Sequence, residues 1–214
     1  MGEDFGFIIE KTITYKKERK FMKKNNKGFS LVELIIVIAI MAILAGAIAP
    51  ALIKYIDKSR KSNDVSSAKT IKTAVETALG TEDCYAYLTG SASSTADCVF
   101  AVETNKSTAA TAITGIPTTA PTNYDGTMTA AQIGELIFGN IGEKTPKLKF
   151  KKQIDKYLNA KPTKFFVAIS DKGTVAVFVG STAPAGLATK DIGGDGTTAK
   201  AYVQLAPEVS AGYQ

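Results

Sequence analysis

Three small sets of residues in this chain have types and spacings that could do chemistry. Cys84 and Cys98 enclose 13 residues and could close a loop as a disulfide. Such a bridge would contribute on the order of 3 kcal/mol through the denatured state; two unpaired thiols are the alternative. Asp191 and Asp195 set two carboxylates among glycines in DIGGDGTT, a weak calcium candidate. Calcium takes about six to eight oxygen ligands, and with two local carboxylates a glycine turn is the better reading. The third is Glu33, a lone carboxylate near the start of KGFSLVELIIVIAIMAILAGAIAPALIKY. The chain contains no histidine, which excludes Cys-His catalysis and Cys/His zinc sites. Without a phosphate-binding loop or an acid pair at catalytic spacing, the chain reads as a non-enzyme that needs no cofactor.

The element that must position Glu33 is apolar. Leu34 to Ile53 is an uncharged block of 20 residues, about the length that crosses a hydrocarbon core of roughly 30 Å as a helix. A carboxylate at the centre of such a helix costs roughly 2.5 to 3.5 kcal/mol and less near its end. Ser30 and Glu33 have the S-x-x-E spacing of a capping box, so the helix is predicted to begin at about Ser30. Residues 1 to 28 carry 8 basic and 4 acidic side chains, and the other 186 carry 18 and 16. That bias predicts a cytoplasmic N-terminus, with everything after Tyr55 outside. A cleaved secretory signal is disfavoured: Ala47-Ile48-Ala49 has the exit form, but Pro50 would follow the cut. A plain signal anchor leaves Gly28 and Glu33 without a purpose.

Lys27-Gly28-Phe29-Ser30-Leu31-Val32-Glu33-Leu34 resembles the class III signal of type IV prepilins. The resemblance implies cleavage between Gly28 and Phe29 by a prepilin peptidase, with N-methylation of Phe29. It places Glu33 at the fifth mature position, where the family's glutamate is thought to pair with the N-terminal amine of a neighbouring subunit. Pro50 falls at the twenty-second, where many pilins carry a helix-kinking proline. Implied partners are further copies of the chain in a helical filament, the peptidase, pilus assembly machinery in the inner membrane, and the membrane before assembly. The implied destination is an extracellular surface filament. A pseudopilin of type II secretion or DNA uptake shares the motif, and a monomeric signal-anchored surface binding protein is a rival of another class. Met22 would by itself begin a short leader of the common pilin kind.

The expected division is a leader at 1–28, a hydrophobic half-helix at 29–53, an amphipathic half at 54–80 and a head at 81–214. Val65, Ala68, Ile71, Val75, Ala78 and Leu79 recur at helical spacings, predicting one apolar stripe that ends at a Gly80 cap. Thr81 to Thr122 is rich in Thr, Ser and Ala and reads as a long surface loop with a short strand at Val99 to Val102. Asn105-Lys106-Ser107 matches a glycosylation sequon. Thr129 is the expected N-cap of a helix to Phe138, and Lys147 to Leu158 is expected to form another. Its lysines make a basic run, a solvated face by default and a DNA-binding surface as the sharper alternative. Phe165 to Ser170 and Thr174 to Val179 read as a hairpin turning at Asp171-Lys172-Gly173, with Ala201 to Leu205 as a third strand. The predicted fold is α+β: a long N-terminal helix packed by its second half on a small antiparallel sheet.

Overall fold

A computed structural model describes residues 28–93, 97–150, 158–184, 201–210 and 213. The chain divides into two compact units, Met1–Ala47 and Ile48–Gln214. Helix α1, Leu31–Leu79, supplies the described helix of the first unit and opens the second. It runs unbroken through Pro50. In the first unit every described residue is exposed, so its described part has an apolar surface and no buried core.

In the second unit α1 buries one stripe: Asp64, Ala68, Ile71, Ala74, Val75 and Ala78. The spacing is the helical one, and Val65 and Leu79 pack partly buried at its margin. The helix ends where the Gly80 and Thr81 amides turn back to the Thr77 and Ala78 carbonyls.

Thr81 to Thr122 is not a long loop. It holds α2 (Glu82–Gly90), β1 (Cys98–Val102), α3 (Ala109–Ala112) and β2 (Ile113–Thr114). Cys84, Tyr87 and Leu88 form the inward face of α2, and burying each large apolar side chain contributes about 1.5–3 kcal/mol. Helix α4, Ala130–Ile141, begins at Thr129, whose hydroxyl accepts the Gln132 amide while the Gln132 side chain accepts the Thr129 amide. Thr129 is the predicted cap, the reciprocal bond with Gln132 was not anticipated, and the helix continues beyond Phe138 to Ile141, which packs partly buried against the core.

Strands β3 (Lys164–Ile169), β4 (Val175–Gly180) and β5 (Tyr202–Ala206) complete a five-stranded antiparallel sheet ordered β2-β1-β3-β4-β5. The expected hairpin joins β3 to β4, with Gly173 at φ 75°. Phe100, Val167 and Val177 stand opposite one another across three strands. Since side chains alternate faces along a strand, Val102, Phe165, Ile169, Val175, Val179, Val203 and Leu205 share their side, in one cluster with the α1 stripe. Ala101, Phe166, Ala168, Ala176 and Phe178 form a second cluster on the opposite face. The architecture is α+β, a long apolar N-terminal helix with a small antiparallel sheet.

The helix expected from Lys147 to Leu158 does not begin as one. Residues 147–150 are non-helical: Leu148 and Phe150 are buried while Lys147 and Lys149 are exposed, a period of two. Asp64 takes the Lys149 and Phe150 amides, which removes them from any helical ladder. Leu158 is buried as expected, while Ile154 and Tyr157 lie outside the described residues.

Candidate functional site

Gly28, Phe29 and Ser30 precede the helix, and all three are exposed. A Cβ built on Gly28 would meet nothing within 4 Å, so no described residue crowds that position. Phe29 is 89% exposed. One turn later Glu33 folds back: its Oε2 accepts the Ser30 amide at 2.8 Å, while Ser30 Oγ accepts the Val32 amide at 3.3 Å. The Leu34 amide donates to the Ser30 carbonyl, the first helical bond. Helix starts leave amides unsatisfied, and the two side chains answer two of them. The hydroxyl reaches the second amide of the helix, not the third as in the usual box.

From Leu31 to Leu44 the large apolar side chains are 47–74% exposed. The helix contains an 18-residue window of mean hydropathy 2.9, none of it buried, long and apolar enough to cross a membrane. A surface of this size and polarity requires a cover of lipid or of other apolar helices. Pro50 lies inside the helix, exposed, and lacks the amide that would bond one turn back.

Cys84 lies on α2 and Cys98 begins β1; both are buried and both are free thiols. Burial pushes each thiol up to about 11, and for Cys98 the nearby Asp97 and Cys84 add to it. Neither is a thiolate at neutral pH, so neither is a ready nucleophile. Asp191 and Asp195 fall outside the described residues. Among the described residues no three side chains of His, Cys, Asp or Glu come together to hold a metal.

Sequence reasoning missed Asp64. It stands four residues before Ala68 and seven before Ile71, on the apolar stripe, and is fully buried. Its Oδ1 accepts the Lys149 amide at 2.6 Å; Oδ2 accepts the Phe150 amide at 2.8 Å and the Tyr213 hydroxyl at 2.9 Å. Lys61 Nζ sits 5.5 Å from the Phe150 ring centroid and 5.8 Å from that of Tyr213, within cation–π range. Burial holds the Asp64 carboxyl above its ordinary range despite the two amides and the tyrosine, and pushes the Tyr213 hydroxyl well above its own. Burial also lowers Lys61, against the pull of Asp57. The group ties the end of the chain and the 149–150 segment to α1.

A family model for the prokaryotic N-terminal methylation motif matches residues 23–49. The chain is 38% identical over 108 residues to a type IV major fimbrial protein, FimA, of Dichelobacter nodosus, an alignment covering 49% of this chain and 68% of that protein. A second protein of that name and organism is 44% identical over 68 residues, covering 30% of this chain and 44% of the relative. Fimbrial protein Q of Moraxella bovis is 51% identical over 53 residues, covering 25% of this chain and 34% of that protein. No solved structure matches.

Proposed function

Because the chain belongs to the type IV pilin family and is a structural subunit of a type IV pilus, we propose that it is made as a membrane-anchored precursor and polymerises as the major subunit through its N-terminal helix. The observation that carries this reading is the exposed Gly28–Phe29 junction one turn ahead of Glu33, at the head of a helix whose apolar surface has no cover among the described residues. Cutting there separates residues 1–28, with net charge +4, from an anchor that stays in the bilayer. The new amine on Phe29 carries a charge that hydrocarbon disfavours. Glu33 is the one carboxylate between Phe29 and Ile56, and its present partner is a backbone amide. In a filament it exchanges that amide for the Phe29 amine of the next copy, so assembly neutralises two charges at once and fixes the register.

In this reading residues 29–53 form the filament core, 54–80 bridge to the head, and 81–214 face outward. A prepilin peptidase and membrane assembly machinery are the required partners. The chain supplies no catalytic group to these steps; its work is to present a cleavable peptide and a surface that only other copies or lipid will cover.

The test is the intact mass, with N-terminal mapping, of the protein in sheared and sedimented surface material. A chain beginning at methylated Phe29 is expected. A chain beginning at Met1, Met22 or Pro50, absent from the pellet, would reject the reading. Glu33→Ala is expected to be cut and inserted normally yet to yield few filaments; normal yield would remove the register role. Since no neighbour crowds Gly28, Gly28→Val is expected to block maturation while leaving thermal unfolding of the head unchanged.

A further inference from the structure

Directly after the uncharged block that ends at Ile53 the chain carries Lys54, Lys58, Arg60 and Lys61 against the one acid Asp57, four cations in eight residues. A surplus of basic residues belongs on the cytoplasmic side of a membrane span. In the precursor this stretch lies on the other side, so whatever favours its charge must be met there.

All these residues lie on α1. Tyr55, Lys58, Ser59, Ser62, Asn63 and Ser66 line a groove of about 490 Å³ on its surface, and each of them is exposed. Tyr55 precedes the buried Asp64 by nine residues, about two and a half helical turns, so the groove faces away from the stripe that α1 buries. Arg60 is drawn to Asp57 at 3.8 Å, and Lys61 lies over the Phe150 and Tyr213 rings. Among the described residues Lys54 and Lys58 make no ion pair or ring contact. Helical side chains lean toward the helix N-terminus, which here is the membrane side, so the Lys58 stem starts back toward Lys54 and Tyr55. A headgroup layer is about 5–7 Å deep, or about four residues of helix, which takes it from Lys54 to Lys58.

We propose that in the membrane-anchored precursor, the reading on which this inference rests, the groove at Tyr55 and Lys58 docks the phosphate headgroup of an anionic phospholipid in the non-cytoplasmic leaflet. Lys54 and Lys58 are compact point charges suited to phosphate. Zwitterionic headgroups carry a cation of their own, so an acidic lipid answers the two lysines better. Tyr55, 73% exposed, sets an apolar ring with a polar tip at the boundary where tyrosine is enriched. It is the first aromatic residue after Phe29, so one ring stands at each end of the apolar block. Ser59 adds a hydroxyl donor one turn above it. The site acts before assembly, because a copy drawn out of the bilayer gives these contacts up.

The test reconstitutes the full chain in phosphatidylcholine vesicles doped with phosphatidylglycerol that bears a photoreactive headgroup, and maps the cross-linked peptides by mass spectrometry. Attachment within residues 54–62 is expected. It should fall roughly fivefold for each of Lys54→Gln and Lys58→Gln and survive Lys58→Arg. Salt at about 1 M should weaken it, and Lys69→Gln, further along α1, should change nothing. The basic leader should stay labelled in every variant, which reports normal insertion. Equal labelling by photoreactive phosphatidylcholine, unchanged labelling of the glutamine variants, or cross-links from this stretch to a second copy in place of lipid would overturn the proposal and leave the anchor intact. A chain that does not float with the vesicles would reject the precursor reading and the proposal together.

Discussion

Asp64 accepts hydrogen bonds from groups 85, 86 and 149 residues further along the chain, so one side chain closes three long loops. Its two oxygens are both acceptors. An asparagine would turn an NH2 group toward donors, leaving buried polar groups unpaired at about 1–3 kcal/mol each. Asp64→Asn is therefore expected to destabilise the head by about 2–4 kcal/mol, and Tyr213→Phe by about 1 kcal/mol, measured by urea unfolding of the detergent-solubilised chain. The pH dependence has a definite sign. Burial raises the native pKa, with Lys149 and the two amides acting against it, and the Lys61 cation lies over the adjoining rings. A raised native pKa means that the folded form binds the proton more tightly. The contribution is complete below the ordinary carboxylate value of about 3.9 and is lost as pH rises through the native value. Stability of the wild type relative to Asp64→Asn should increase as pH falls through that window. Parallel profiles would assign the titration to other groups.

At the scale of elements, the legible parts were those whose period and punctuation agreed. Phe165 to Val179 combines β-branched and aromatic runs with Asp-Lys-Gly, and becomes β3, a turn and β4; Thr129 announced the start of α4. Helix α2 was readable in principle from Cys84, Tyr87 and Leu88 at spacings of three and four, but hydroxyl-rich flanks concealed it. Strand β2 has two residues, too few for any period. The 147–150 strip alternates correctly, yet its lysines looked like a helix surface until Asp64 was found to hold its amides. Asp64 itself sat on the stripe at the right spacing, and only its charge hid it. In the candidate site, Gly28, Phe29 and Glu33 were legible as a motif, whereas the Asp64 anchor of the 149–150 strip required the fold. The hairpin offers a test of local cost. Gly173 has φ 75°, and an added Cβ would fall 2.8 Å from Tyr85 Cε2. The Tyr85 ring is exposed and can swing aside, leaving the backbone penalty of about 1–2 kcal/mol. Gly173→Ala should lose about that much stability, Gly173→Asn less, and Tyr85→Ala should not restore the loss. Restoration would make the ring contact, and not the backbone, the source.

The whole molecule separates two kinds of surface. In the first unit no described residue is buried, and every described residue of the hydrophobic core lies at Ala68 or beyond. Without residues 1–28 the chain has 18 basic and 16 acidic side chains; the 144–164 segment holds +7 of that charge and the remainder sums to −5. The exposed apolar surface and the positive charge thus belong to different parts of the chain. The hydrophobic driving force for folding the head comes from area buried within the second unit, and the first unit can lower its free energy only by meeting lipid or other helices. A chain lacking residues 1–53 should therefore dissolve without detergent, sediment as a monomer and unfold cooperatively. Its thermal midpoint should fall within a few degrees of that of the detergent-held full chain, and it should fail to enter filaments formed by the intact protein. If it aggregates, or melts far below the full chain, the apolar helix contributes to the core of the head and the two units are not energetically separate. If it enters filaments, contacts between heads drive assembly, and Glu33 and the apolar helix lose their leading part.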